Sequence, residues 1–114
     1  MSVLERRGIM DIQLKRGILD ACVLSVLNRG DSYGYQIIKD MNDHVPITES
    51  TLYLILKRLE ASGCLTVYSI EHNGRLRKFY SITEAGRQKI RDFIENWQDV
   101  MTAYKFIEEG WDNK

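Results

Sequence analysis

The stretch CLTVYSIEHNGRLRKFYSI, residues 64–82, decides the fold because it has the pattern of a β-hairpin. Its first part, from Leu65 to Tyr68, is rich in residue types that favour strands. Asn73-Gly74 follows, and this pair is the strongest short signal for a two-residue hairpin turn. The return strand is predicted over Leu76–Ile82. Because the connection is short, we expect the two strands to pair antiparallel.

Two helices are predicted at the start of the chain. The first spans roughly Ile9–Asn28, where apolar side chains recur at every fourth position. This stripe consists of Leu14, Ile18, Cys22 and Val26, and it is widened by Ala21, Leu24 and Leu27. The second helix is predicted within residues 33–45, with Asp31 or Ser32 as its N-cap and Pro46 beyond its end.

A third helix is predicted over TESTLYLILKRLEASG, residues 48–63. Thr48 is its expected N-cap, and Glu49 suits the positive end of the helix dipole. Gly63 ends the helix. Its core stripe consists of Leu52, Ile55, Leu56 and Leu59.

The chain then ends in a long helix that begins after Thr83, its predicted N-cap. Apolar residues recur along it at alternating steps of three and four, which is the spacing of a heptad seam. The seam consists of Ile90, Phe93, Trp97, Val100, Tyr104, Ile107 and Trp111, and it is widened by Ile94 and Met101.

The predicted order is therefore three helices, two strands and a long helix, a mainly α fold with a small β-hairpin. Three helices followed by a hairpin form a winged helix-turn-helix, in which the hairpin is the wing. We expect residues 1–82 to form a DNA-binding domain of this type. Residues 83–114 are expected to form a dimerisation helix that packs on the same fold.

Composition narrows the class of protein. The chain has 114 residues, no net charge, and no apolar run long enough to cross a membrane. Its N-terminus lacks the features of a secretory signal, and its two cysteines are expected to be buried free thiols in a reducing cytoplasm. No metal-site spacing occurs, and neither His44 nor His72 has an evident catalytic partner. We therefore expect a cytoplasmic protein that is not an enzyme and needs no cofactor.

The charge is segregated along the sequence even though it sums to zero. Residues 72–91 contain six basic residues and one acid, whereas residues 92–114 contain six acids and two basic residues. Such asymmetry indicates one surface that attracts a polyanion. Arg75, Arg77 and Lys78 at the hairpin tip would fan around a phosphate backbone. The alternative is a charged edge that only prevents sheet pairing.

The third helix has an outward face that suits DNA contact. This face carries Glu49, Ser50, Tyr53, Lys57 and Arg58. Small hydroxyls at a helix N-terminus approach phosphates and base edges closely, and Tyr53 and Lys57 lie one turn apart. The alternative is an ordinary solvated face with Tyr53 half-packed on the core.

The seam of the last helix is too wide and too aromatic for a small domain to cover, so it predicts a homodimer. The expected interface comprises Phe93, Ile94, Trp97, Val100, Met101, Tyr104 and Ile107. The alternative is a helix that folds back on its own core. Trp97 lies mid-seam, where two copies would either pack together or form the walls of a slot for a flat ligand.

The sequence resembles the PadR family of winged-helix transcriptional regulators over nearly its whole length. The resemblance is carried by GDSYGYQIIKDM (30–41), ESTLYLILKRLEASGCL (49–65) and GRLRKFYSITEAG (74–86). It extends to a short subfamily with a single C-terminal helix. The family implies a homodimer that represses promoters. Some multidrug-responsive members of the subfamily have a flat central pore in which aromatic drugs stack between paired tryptophans.

The resemblance also implies roles for individual residues. Contacts to promoter DNA fall on Tyr35, Lys39, Glu49, Ser50, Thr51, Tyr53, Lys57, Asn73, Gly74, Arg75 and Lys78. Contacts to a planar aromatic ligand fall on Ala21, Ser25, Ile90, Trp97 and Met101. The leading hypothesis is a dimeric, sequence-specific repressor that such a ligand releases from DNA. The alternative is a winged-helix module that binds another protein.

Overall fold

The computed structural model describes residues 12–113 and confirms the predicted class. In that part of the chain, the fold consists of four helices and a two-stranded antiparallel hairpin. The predicted start of the first helix at Ile9 lies outside the described residues. In chain order the elements are α1 (Ile12–Asn28), α2 (Gly34–Met41), α3 (Glu49–Ala61), β1 (Leu65–His72), β2 (Arg75–Ile82) and α4 (Glu84–Asp112).

Helix α1 is the centre of the fold, and its buried face differs from the predicted stripe. Leu14 is 40% exposed, and Ile18, Cys22 and Val26 are only half-buried. Three of the predicted residues, Ala21, Leu24 and Leu27, are buried, and the buried apolar face is completed by Leu19 and Val23, which were not predicted. The reason is that α1 packs against α2, α3, β2 and α4 at once, so its buried arc is wider than one stripe and centred elsewhere.

Two of the three predicted helix caps are confirmed. The Thr48 hydroxyl accepts a hydrogen bond from the Thr51 amide at 3.3 Å, and the Thr83 hydroxyl accepts one from the Gly86 amide at 3.2 Å. The predicted cap of α2 is wrong, because Tyr33 is the N-cap residue and makes no side-chain cap hydrogen bond. Asp31 and Ser32 are engaged elsewhere, by the wing.

The hairpin forms as predicted, and its return strand begins one residue early, at Arg75. Asn73 and Gly74 have φ values of 51° and 79°, the positive angles that a tight two-residue turn requires. The register runs from His72 opposite Arg75 to Leu65 opposite Ile82. Because side chains alternate along a strand, Lys78 shares a face with Tyr80 whereas Arg75 and Arg77 share the opposite face.

The base of the wing is tied to the segment before α2. The Tyr80 amide donates to the Ser32 carbonyl at 2.8 Å, and the Ser32 amide donates to the Tyr80 carbonyl at 3.2 Å. Tyr80 itself is buried against the core. These bonds hold the wing beside the helix-turn-helix that α2 and α3 form.

Helix α4 begins in a tight contact with the start of β1. A Cβ atom added at Gly86 would lie 2.3 Å from the Cys64 carbonyl oxygen and 2.7 Å from Cγ1 of Ile82. The same carbonyl accepts a hydrogen bond from the Thr83 amide at 3.0 Å. Because Gly86 has no side chain, the start of α4 can lie in contact with the backbone that precedes β1.

The second half of α4 extends beyond the rest of the chain. Every residue from 98 to 113 is exposed in the single chain. The alternative in which the whole helix folds back on its own core therefore does not hold for these residues.

Candidate nucleic-acid interface

A concave surface lies between the start of α2, the outer face of α3 and the wing. It encloses about 470 Å³ and brings together three residues of the predicted DNA set, Tyr35, Tyr53 and Lys78. An adjoining groove of about 300 Å³ adds Lys57 beside Tyr53 and Lys78. Hydroxyls and ammonium groups from three elements thus converge on one surface, the combination that phosphate and base contacts use.

Tyr53 can occupy its position because Gly34 has no side chain. A Cβ atom at Gly34 would lie 2.5 Å from the Tyr53 hydroxyl oxygen and 3.0 Å from Cζ. The tyrosine therefore lies directly over the first turn of α2, with 45% of its surface exposed. This close approach links the first helix of the helix-turn-helix to the outer face of the second.

Arg77 also lines the concave surface, and its position could not be predicted. Its guanidinium carbon lies 4.4 Å from the centroid of the Tyr33 ring, within the range of a cation–π interaction. The sequence places Arg77 on the same side of β2 as Arg75, but it gives no sign that Tyr33 packs there. The contact holds the arginine at the base of the wing.

Stacked aromatic rings support that arginine. The rings of Tyr68 and Phe79 stack with centroids 5.8 Å apart, and Tyr33 meets Phe79 edge to face at 5.3 Å. The Tyr68 hydroxyl donates to the Asp31 carboxylate at 2.6 Å. This hydrogen bond, more than desolvation, raises the pKa of the Tyr68 hydroxyl. Asp31 therefore anchors the wing instead of capping α2.

The other predicted DNA residues of α2 and α3 line neither the concave surface nor the adjoining groove. Glu49, Ser50 and Lys39 are exposed, as is Tyr35 of the concave surface, which is 70% exposed at the start of α2. Thr51 is half-buried, and its hydroxyl accepts a hydrogen bond from that of Thr48 at 2.9 Å. Thr51 therefore belongs to the helix cap and faces a different groove.

That other groove lies between α1 and α3 and encloses about 220 Å³. Thr51 and Leu54 line its α3 side, and the basic residues Lys15 and Arg16 line its α1 side. Neither basic residue was predicted as a contact. Their signal in the sequence is weak, because two charges in a helix are usually part of a solvated face.

The tip of the wing carries Asn73, Gly74 and Arg75, and all three are exposed. They lie two to four residues beyond Arg77, the side chain nearest the tip that lines the concave surface. The predicted DNA set is thus divided between this tip, the concave surface with its adjoining groove, the N-terminus of α3 and the last turn of α2.

A buried carboxylate joins three helices behind this face. Asp20 of α1 has a side chain only 4% exposed, and its two oxygens face different partners. Oδ1 accepts a hydrogen bond from Nη2 of Arg58, in the last turn of α3. Oδ2 lies 3.6 Å from Nζ of Lys89, in α4. The sequence placed Arg58 on the outward face of α3, whereas the structure turns it inward to Asp20.

Four of the five residues predicted to bind a ligand line two grooves, and Phe93 lines both of them. Ala21, Ser25 and Ile90 line a groove of about 300 Å³ between α1, α2 and α4. Trp97 lines another, of about 330 Å³, and its ring lies 6.0 Å from that of Phe93. Met101 lies further along α4 and is 45% exposed.

Cys22 is a free thiol that lines the groove of Ala21 and Ser25. Burial raises the pKa of this thiol. The groove wall is therefore uncharged at this position, and it is mostly apolar elsewhere. Cys64 is also free and lies in the core.

The predicted dimer residues form a continuous stripe that the single chain leaves uncovered. Phe93 and Trp97 are half-buried, and exposure grows along the helix from 49% at Val100 to 67% at Ile107. Ile94, Met101 and Tyr104 are between 45% and 52% exposed.

No helix within residues 12–113 is long and apolar enough to cross a membrane.

Known proteins resemble this chain in fold and in sequence. The model of the transcriptional regulator PadR-like family matches residues 23–92. A PadR family transcriptional regulator from Eggerthella lenta is 33% identical, and its crystal structure matches with a TM-score of 0.76 over 86% of this chain and 88% of that one. A protein from Lysinibacillus sphaericus is 31% identical over 83% of this chain and 92% of its own length.

A more distant relative is the negative transcriptional regulator PadR of Bacillus subtilis. It is 25% identical over 77% of this chain, and the chain spans about half of its length, 51%. The crystal structure of Bacillus subtilis PadR in complex with operator DNA is 24% identical and shares the fold. Its TM-score is 0.64, over 68% of this chain and 46% of that one.

The chain therefore belongs to the PadR-like family of transcriptional regulators, which confirms both the resemblance found in its sequence and the expectation that it is not an enzyme.

Proposed function

We propose that this protein is a homodimeric, sequence-specific DNA-binding repressor of the cytoplasm. Residues 1–82 read promoter DNA, and residues 83–114 hold the two copies together. The observation that carries the proposal is the concave surface on which Tyr35, Tyr53 and Lys78 converge beside an exposed basic wing tip. The Bacillus subtilis relative that is crystallised with operator DNA has the same fold, which supports DNA as the partner.

The roles within this surface follow from chemistry. Arg75 and Lys78 contact phosphates, because exposed cations on a hairpin provide charge without base selectivity. Ser50 and Tyr53 contact base edges, because they lie on the outer face of α3 where that helix would enter the major groove. Arg77 is the third wing cation, and its guanidinium lies over the Tyr33 ring beside the concave surface, where it adds positive charge for a DNA phosphate.

A salt titration of duplex binding tests this division of roles. Replacing Arg75 and Lys78 with Ala should weaken binding to all duplexes about equally, and it should flatten the slope of log affinity against log salt by about 3.6 units, roughly 0.9 for each of the four phosphate contacts that a dimer loses. By contrast, Tyr53→Phe or Ser50→Ala should change the ranking of sequences more than the slope.

The control removes one cation from the acidic second half of α4, Lys105, and should leave the slope as it is. Unchanged binding in the wing variant would mean that its cations only protect a sheet edge. A wild-type chain that binds no duplex at any salt concentration would favour the alternative of a module that binds another protein.

Repression is the regulatory direction that the proposal assigns, and the name of the Bacillus subtilis relative supports it. Genome-wide mapping of bound promoters tests it together with transcript levels in a strain that lacks the protein. Transcripts beside bound sites should rise when the protein is removed. A fall at most of these sites would identify an activator.

The proposal includes a planar aromatic ligand that releases the protein from DNA. Its support is the apolar groove lined by Ala21, Ser25 and Ile90, together with Trp97 on an uncovered stripe of α4. When two copies pair along this stripe, the two Trp97 rings come close to the symmetry axis. A flat ring between them would gain roughly 0.5–1.5 kcal/mol per ring pair beyond the area that it buries.

Tryptophan fluorescence tests the ligand in the Trp111→Phe form, which removes background from the C-terminal indole. A bisbenzimide dye should quench Trp97 saturably at about one ligand per dimer, and Trp97→Ala should abolish dye binding while the dimer persists. Bound dye should also lower the affinity for duplex. If no planar aromatic quenches Trp97 at tens of micromolar, a range in which ligands of about −6 kcal/mol bind, the ligand part of the proposal fails.

A further inference from the structure

Asp20, Arg58 and Lys89 form a connection, here called the Asp20 clasp, between the helix that would read DNA and the helix that would form the dimer. Asp20 lies on the central helix α1 and holds one cation with each carboxylate oxygen. Arg58 belongs to α3 and Lys89 to α4. The clasp is thus a polar junction at which three helices meet through one side chain.

The burial of the clasp makes it a directional contact. The Asp20 side chain is 4% exposed, whereas those of Arg58 and Lys89 are 35% and 43% exposed. A carboxylate that is withdrawn from water needs opposite charge beside it, and its hydrogen bond with Arg58 prefers one arrangement of the two side chains, whereas Lys89, at 3.6 Å, holds α4 to it as an ion pair. Apolar side chains around it would tolerate small rotations of a helix more easily, because their contacts have no direction.

The position of the clasp on each helix matters for DNA reading. Arg58 is in the last turn of α3, at the opposite end from Glu49 and Ser50. Lys89 is in the second turn of α4, before the uncovered stripe begins. The clasp therefore fixes the C-terminal end of α3, the recognition helix, relative to the N-terminal part of α4, the dimerisation helix.

We propose that the Asp20 clasp sets the distance and angle between the two recognition helices of the dimer. Asp20 is then a positioning residue, which acts through α3 and never touches DNA. The inference rests on the proposed function, since it needs α3 to read DNA and α4 to form the dimer. Its consequence is that the clasp determines which spacing of two half-sites the protein accepts.

The test measures tolerance to half-site spacing. The probe is a palindromic duplex that the wild-type protein selects from a randomised pool, with forms that have one base pair added or removed at the centre. Each change moves one half-site by about 3.4 Å and turns it by about a tenth of a helical turn. Wild-type affinity should fall about tenfold or more on either altered duplex, because both recognition helices no longer fit together.

Two variants loosen the clasp. Asp20→Asn removes the charge at the junction while keeping the size of the side chain, and Lys89→Met removes only the link to α4. In both, the loss on altered duplexes should shrink to about threefold or less. The dimer should persist in both, and Lys89→Met decides the question if Asp20→Asn does not fold.

The matched control is Glu84→Gln. Glu84 pairs with Arg87 at 2.9 Å and with Arg91 at 2.7 Å, so this variant breaks ion pairs that lie entirely within α4. It should keep the wild-type spacing penalty. A merely structural role of Asp20 would lower stability and leave the ratio of affinities between duplexes unchanged.

Three outcomes overturn the inference. Folded, dimeric clasp variants with the wild-type spacing penalty would refute the clasp alone, and the proposed function would stand. A wild-type protein that binds the selected duplex but ignores spacing would also refute the clasp alone. A wild-type protein that selects no duplex at all would refute the proposed function, and the inference would fall with it.

Discussion

Replacing Gly86 with Ala is the most direct perturbation of the contact between the wing and α4. In an isolated helix this change would stabilise, because Ala is favoured over Gly by about 0.8–1.0 kcal/mol. Here the new Cβ atom would lie 2.3 Å from the Cys64 carbonyl oxygen. That neighbour is a backbone atom, so it cannot rotate away as the end of a long side chain could.

The size of the effect follows from the displacement that the new atom requires. An ordinary contact needs about 3.4 Å or more, so helix and carbonyl must separate by about 1 Å, and overpacking of this kind typically costs about 1–3 kcal/mol. The displaced carbonyl also accepts the Thr83 amide hydrogen bond, worth about 1 kcal/mol when weakened. After subtracting the helix gain, we expect Gly86→Ala to lower the free energy of unfolding by about 2 kcal/mol.

Thermal and urea unfolding measure this change, at one fixed protein concentration because a dimer makes Tm depend on concentration. A loss of that size lowers Tm by about 8 °C in a chain of this length. The matched control is Gly110→Ala in the same helix, where no atom lies within 4 Å of the added Cβ and stability should rise or stay equal. A Gly86→Ala protein as stable as the wild type would refute the reasoning, since the tight contact would then carry no energetic weight.

Three further substitutions test separate features. Val100→Glu puts a charge into the proposed interface at a cost of several kcal/mol, so sedimentation at micromolar concentration should show monomer or aggregate, and a wild-type monomer would contradict the dimer. Gly34→Ala pushes the Tyr53 ring from its place over α2; because that ring is half-exposed, Tm should change by only a few degrees while the ranking of bound sequences shifts, and an unchanged ranking would show that Tyr53 does not read bases. Thr83→Ala removes the α4 cap and should cost about 1 kcal/mol, which Thr83→Ser should largely restore in urea unfolding.

Features that depend on neighbouring residues could be predicted from the sequence. The Asn73-Gly74 turn, the Thr48 cap and the Thr83 cap each need only a few adjacent positions, and all three are confirmed. The spacing of apolar residues likewise predicted the long final helix. The prediction of an Asp31 cap on α2 was wrong because the Asp31 carboxylate instead accepts a hydrogen bond from the Tyr68 hydroxyl, 37 positions further along the chain.

The missed parts of the site all involve partners that meet only in the folded chain. Arg77 stacks on Tyr33, and Arg58 bonds to Asp20 across 38 positions. A helical wheel of α3 places Arg58 among the outward-facing residues. It cannot show that Arg58 pairs with Asp20, because Asp20 lies on α1. The sequence identified which elements carry the candidate contacts, and the structure was needed to separate basic residues that face outward from those that hold the helices together.

The pair of backbone hydrogen bonds between Ser32 and Tyr80 has a consequence for motion within the wing. A two-stranded hairpin alone is marginally stable, and a third strand segment at its base adds the pairing that it lacks. We therefore expect the wing to open from the tip, so that amide hydrogens near Gly74 should exchange with solvent far sooner than that of Tyr80. We therefore expect the hairpin to be stiffer at its base than at its tip. The aromatic base would then stay at a fixed distance from α3, while the basic tip could adjust to the surface that it contacts.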